Sequence, residues 1–114
     1  MKITKDIYIK ATAEAMNRES AQKLLKAEPQ MFDMFSLFSF ILFTRLEGKD
    51  ITDDDFTDAV STLIVDALPD SNKQSTMLKY LALIIFSLQI WDILEKNWTN
   101  QTAITRHMTA SKLN

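Results

Sequence analysis

An all-α fold is what this sequence predicts, on three observations. Two apolar blocks, Met31–Phe43 (MFDMFSLFSFILF) and Met77–Leu94 (MLKYLALIIFSLQIWDIL), are each too long for an ordinary strand. Glycine occurs once, at Gly48, and proline twice, at Pro29 and Pro69, which is too little turn chemistry for an all-β chain or a phosphate loop. The start and stop residues that do occur fall between the apolar segments rather than inside them. A chain of 114 residues is one domain by size, and folding should bury roughly two-thirds of its surface. The expected architecture is a small bundle of four main helices. Two nearly all-round apolar helices stand at its centre, and a short C-terminal helix is an option.

The first predicted helix runs from about Lys5 to Ala27. Its start is ambiguous: Ile3, Ile7 and Ile9 partly alternate with charged residues as in a strand, while Thr4 equally suits a helix cap. Ala11, Ala13 and Ala15 favour helix from there on, and Asn17–Ser20 is a potential break. Glu28–Pro29 ends this segment, because proline disfavours helical geometry in the residue before it and suits the first turn of the next helix. The second helix then spans Pro29 to Glu47, with Gly48 as the left-handed residue that closes it.

The third helix has the clearest start. Thr52 is a good N-cap, and Asp53, Asp54 and Asp55 place carboxylates at the positive end of the helix dipole. Phe56, Ala59, Val60, Leu63, Ile64 and Ala67 follow as one apolar stripe, and Pro69 stops the helix near Leu68. After a polar link at Ser71–Ser75, the fourth helix runs from about Gln74 to Trp98, roughly 35 Å long. Residues 1–98 are thus read as the helical domain and 99–114 as a polar tail or short helix with Ile104, His107 and Met108 on one edge.

Burial is the demand these helices make. In the first block Met31, Met34, Phe35, Leu37, Phe38, Ile41 and Leu42 form the main face, and Phe40 and Phe43 project toward the polar side. Each exposed ring forfeits roughly 1.5–3 kcal/mol, so a second contact surface is expected. In the second block Met77, Leu81, Ile84, Leu88, Trp91 and Trp98 make one stripe, and Leu83, Phe86, Ile90 and Ile93 another. A membrane span needs about 20 apolar residues. Asp33 interrupts the first block, and Lys79, Asp92, Glu95 and Lys96 delimit the second, which argues against membrane insertion. The alanine-rich first helix and single-striped third helix offer too little apolar surface to cover both blocks. A homodimer or an obligate protein partner is therefore expected.

Little catalytic chemistry is on offer. Without cysteine there are no disulfides, thiolate nucleophiles or sulfur-ligated zinc sites. The acidic run Asp50–Asp58 fails the EF-hand pattern, because Asp55 holds the glycine position and Ser61 the closing glutamate position. His107 is the single histidine, and no serine sits in a nucleophile elbow. No catalytic residue, metal or cofactor is expected. Net charge is −2, distributed as +2 over residues 1–28, −7 over 29–70 and +3 over 71–114. That argues against a general nucleic-acid binder, although the basic residues of the first helix leave a dimeric nucleic-acid-associated regulator as an alternative. A membrane-associated helical pair is the third reading. The N-terminus lacks a continuous apolar signal segment, so a cytoplasmic location is expected, and lysine outnumbers arginine ten to three, as in AT-rich bacterial or phage genomes. The expected function is a non-catalytic protein–protein interaction module of the adaptor, assembly-chaperone, immunity or inhibitor type. Its candidate interface residues are Phe40, Phe43, Trp91, Trp98, Asp53, Asp54, Asp55 and Asp58.

Overall fold

In the computed structural model the chain is all-α. The backbone of residues 1–67 and 74–113 and the side chains of residues 1–66 and 77–99 are described. The described residues form five helices: α1 (Lys5–Asn17), α2 (Glu19–Ala27), α3 (Met31–Leu46), α4 (Asp53–Ala67) and α5 (Gln74–Leu113). Pro69 and residues 70–73 lie outside this description, as does the side chain of His107.

The expected first helix is two. Arg18 is extended (φ −65°, ψ 148°) and serves as both the last cap of α1 and the first cap of α2. Asn17 and Ser20 flank the break, and their short polar side chains compete with helical hydrogen bonding. Gln22 Nε2 donates to Met16 O at 2.7 Å and satisfies a carbonyl that the break exposes. The turn brings α2 back over the core, with Ala21 buried and Leu24 and Leu25 half-buried.

Residues 1–4 settle the ambiguity at the start. They are extended and lie beside the segment that follows α3. Ile51 N donates to Met1 O at 2.8 Å, Gly48 N to Ile3 O at 3.4 Å, and Lys2 pairs with Asp50 in an isolated antiparallel bridge. Ile3 and Ile51 are buried by this pairing, and the helix begins at Lys5. The Met1 ammonium bonds Asp50 Oδ1 at 2.6 Å and holds that carboxyl below its usual range.

The stop and start signals between α3 and α4 act as their chemistry dictates. Gly48 has φ +76°, and no atom stands within 4 Å of where its Cβ would be, so backbone conformation alone selects glycine here. Thr52 Oγ1 accepts from Asp55 N at 3.3 Å, and Asp55 Oδ2 accepts from Thr52 N at 2.9 Å. This is a reciprocal capping box with aspartate in the glutamate position.

Packing is organised around α5. Tyr8, Ala11 and Ala15 are the buried stripe of α1, and the two alanines let α1 lie closely along α5, its most extensive neighbour. Phe35 of α3 stacks on Phe86 of α5 with ring centroids 4.4 Å apart and planes 6° apart. Phe56, Val60, Leu63 and Ile64 of α4 complete the core. Tyr8 ties α1 to α3: its ring packs 5.1 Å from Phe43, and its hydroxyl donates to the buried Ser39 carbonyl at 2.9 Å. α5 continues without a break past Trp98 to Leu113, and no glycine or proline lies in it. Its 40 residues, about 60 Å long at helical rise, account for the 62 Å long axis of the molecule.

Two predictions rest on these contacts. Gly48→Ala should destabilise by about 1–2 kcal/mol in urea denaturation, the cost of a left-handed residue bearing a Cβ. Tyr8→Phe should cost about 1 kcal/mol at pH 7 through the lost hydrogen bond. Burial pushes the Tyr8 phenol above its ordinary value of 10.0. Its contribution is thus fully present below about pH 10 and declines above it, as the unfolded chain ionises first. The difference between wild type and Tyr8→Phe should be constant from pH 7 to 9 and shrink as pH rises beyond 10.

Candidate interaction surface

The buried face of α5 carries Leu83, Phe86, Ile90, Ile93 and Leu94. Diametrically opposite, at the helical repeat of 100° per residue, lie Met77, Leu78, Leu81, Ile85 and Leu88, which are 54%, 61%, 52%, 55% and 46% exposed. Polar residues belong at the centre of a helix's outer face, yet here that centre is aliphatic for three turns. The stripe ends at Asp92, which takes Arg18 of the α1–α2 turn at 3.5 Å and Lys96 at 3.1 Å. Lys96, first, and then Arg18 hold the Asp92 carboxyl below its usual range.

Beside the stripe is a groove of about 370 Å³ between α2, α3 and α5, lined mainly by Ala21, Leu24, Phe35, Leu81, Ile85 and Phe86. Its polar features are Ser20 and Gln89, joined by a 3.3 Å hydrogen bond from Gln89 Nε2 to Ser20 Oγ. Gln89 Oε1 is buried and has no hydrogen-bond partner.

The residues expected at an interface separate into three groups. Phe40 is 64% exposed and borders a groove of about 360 Å³ between α1 and α3, with Ile9, Ala13 and Ser36. Phe43, expected to need a partner from outside the chain, is instead buried against Tyr8. α1 crosses the side of α3 that the helical wheel marks as polar, and Phe43 fills the space beneath it. Trp91 is also interior, stacked on Phe56 with centroids 4.8 Å apart, and its indole N–H donates to Asp53 Oδ1. Trp98 lies further along the same side of α5, where it is partly exposed and lines a groove with Lys2, Ile7 and Lys10.

The acidic run divides in the same way. Asp50 pairs with the Met1 ammonium, Asp53 accepts the Trp91 indole and Asp55 caps α4, so three of its carboxylates are occupied by the fold. Asp54 and Asp58 face solvent, and Asp58 borders an open basin of about 590 Å³ with Arg45 and Lys49. Among the described residues no group of three or more His, Cys, Asp or Glu is placed to hold a metal ion.

Met77, Leu81 and Leu88 belong to an apolar stripe legible in the sequence, but the sequence does not mark them as exposed. The overlooked signal is spacing. Leu78, Leu81, Ile85 and Leu88 follow intervals of three, four and three, the a/d pattern of a helix seam. Among the described residues, Met77–Thr99 is long and apolar enough to cross a membrane by length and composition, and 39% of its most apolar 18-residue stretch is buried against the rest of the chain. No protein-family model matches the chain, and neither the characterised proteins nor the solved structures contain a match.

A contrast within the polar residues is testable by urea denaturation. Trp91→Phe, which removes the indole donor to a carboxylate, should cost about 1.5–3 kcal/mol. Asp54→Asn and Asp58→Asn should each stay within about 0.5 kcal/mol of wild type.

Proposed function

We propose that this chain is a non-catalytic protein–protein interaction module that works through the outer face of α5. The observation that carries the reading is the placement of Met77, Leu78, Leu81, Ile85 and Leu88 on the side of α5 turned away from the core. Fully burying one such side chain is worth roughly 1.5–3 kcal/mol, so five of them half-exposed represent a large unused driving force. The groove against Ala21 and Leu24 adds relief into which a partner's side chains fit. In this reading the chain is a small helical bundle whose central pair, α3 and α5, is only half covered by its own neighbours. Phe40 and Ile9 form a secondary apolar contact, and Asp54 and Asp58 give an acidic flank suited to a basic partner. An adaptor, assembly chaperone, immunity protein or inhibitor works in this form, a helical scaffold that presents an apolar docking stripe.

Leu81→Asp tests the proposal. Because Leu81 is half-exposed, the variant should keep the helical circular dichroism of wild type and lose about 1–2 kcal/mol of stability, from its partial burial and from helix propensity. At a buried interface the same carboxylate costs several kcal/mol, so binding to any protein partner should fall by more than about tenfold. Wild type and Leu81→Asp are compared as baits in affinity capture from the native host and by light scattering. Equal capture and equal mass for the two proteins would overturn the reading.

A further inference from the structure

We infer that the occupant of the α5 face is the same face of a second copy, packed antiparallel about a two-fold axis at the level of Leu83. This rests on the interaction reading above and names its partner. The register follows from the spacing. In an antiparallel helix pair, a positions of one helix meet d positions of the other. With the axis at residue 83, Leu78 meets Leu88 of the second copy and Leu81 meets Ile85, so the four seam residues satisfy one another with none left over. A patch that is its own complement under a two-fold rotation is what an isologous dimer requires.

Charge decides the direction. From Met77 to Leu88 the one charged residue is Lys79, which lies off the seam, so the centre is neutral in either direction. The next seam position is Asp92. A parallel pair sets the two Asp92 carboxylates against each other, whereas the antiparallel register holds them about 27 Å apart along the axis.

Area decides that the contact suffices. The five exposed side chains leave on the order of 500 Å² of apolar surface open on each copy, the size of patch that marks an interaction site. Two copies can cover up to about 1,000 Å² through these five side chains, the lower bound for a specific interface. The groove beside Ala21 and Leu24 adds rim contact on both sides of the axis.

The chain has no cysteine, so introduced thiols report the register cleanly. Light scattering of wild type should give about 26 kDa, twice the 13.1 kDa chain, and Leu81→Asp should give the monomer with unchanged circular dichroism. Leu81→Cys and Ile85→Cys are then oxidised singly and mixed. Antiparallel pairing brings position 81 against position 85, while like positions sit about 6 Å apart along the axis, beyond easy disulfide reach. The mixed disulfide should therefore exceed either self-linked product by about fivefold. Self-linked products dominating would overturn the antiparallel register, and a wild-type monomer at all concentrations would overturn self-association. Should that monomer still capture a host protein through Leu81, the interaction reading stands and only the choice of partner falls. Sedimentation with anionic phospholipid vesicles that Leu81→Asp abolishes would assign the face to lipid and overturn both.

Discussion

Burial of the inner face of α5 is the interaction from which the rest of this structure follows. Leu83, Phe86, Ile90, Ile93 and Leu94 make one continuous apolar wall, and α1, α3 and α4 are each positioned by what they place against it. α1 contributes small residues, so its backbone lies close. α3 contributes a flat aromatic stack through Phe35 on Phe86, and α4 contributes Phe56 beneath Trp91. Three short helices laid on one side of a long one have a geometric consequence. They cover about half of its circumference, and the aliphatic residues on the other half remain outside.

Polar groups at the edges of this core serve the fold before anything else. The Tyr8 hydroxyl reaches a buried carbonyl of α3 and fixes the distance at which α1 crosses it. Asp53, at the start of α4, accepts the indole proton of a tryptophan in the middle of α5 and so joins the N-terminus of one helix to the flank of another. A carboxylate in the first turn is already favoured by the helix dipole, so the indole bond adds to a position that local electrostatics had selected. The acidity of the α4 start therefore has two sources: helix-start chemistry at Asp53 and Asp55, and solvent-facing charge at Asp54 and Asp58.

The proposed function draws on what this core leaves over rather than on a reactive site. Apolar side chains at the centre of an outward face are costly in water, and a fold that retains five of them along one helix holds that free energy available for binding. The charged cluster of Arg18, Asp92 and Lys96 closes the stripe at one end, so the apolar surface has a defined length of three turns.

Much of the local structure was legible in the residues themselves. Gly48 closing α3, Thr52 opening α4, the α4 stripe from Phe56 to Ile64, and the division of α5 into two apolar stripes are all properties of short windows, governed by backbone sterics and the 3.6-residue repeat. The break at Arg18 was visible as weak helix formers, although a break became a turn only because α2 has a core to fold back upon. The extended pairing of residues 1–4 depends on a segment almost fifty residues away, and the partial alternation at Ile3 does not say what it pairs with. The same limit governs the interface. Periodicity shows that Phe40, Phe43, Trp91 and the Leu81 stripe are apolar and on which side of its helix each lies. Whether a side is covered depends on the path of other helices: α1 crosses over Phe43, α4 lies over Trp91, and no described element covers Leu81 and Ile85. The sequence by itself determined which faces are apolar, because helix period is a local property. Only the tertiary structure decided which of those faces stay open, because coverage is set by distant parts of the chain meeting in space.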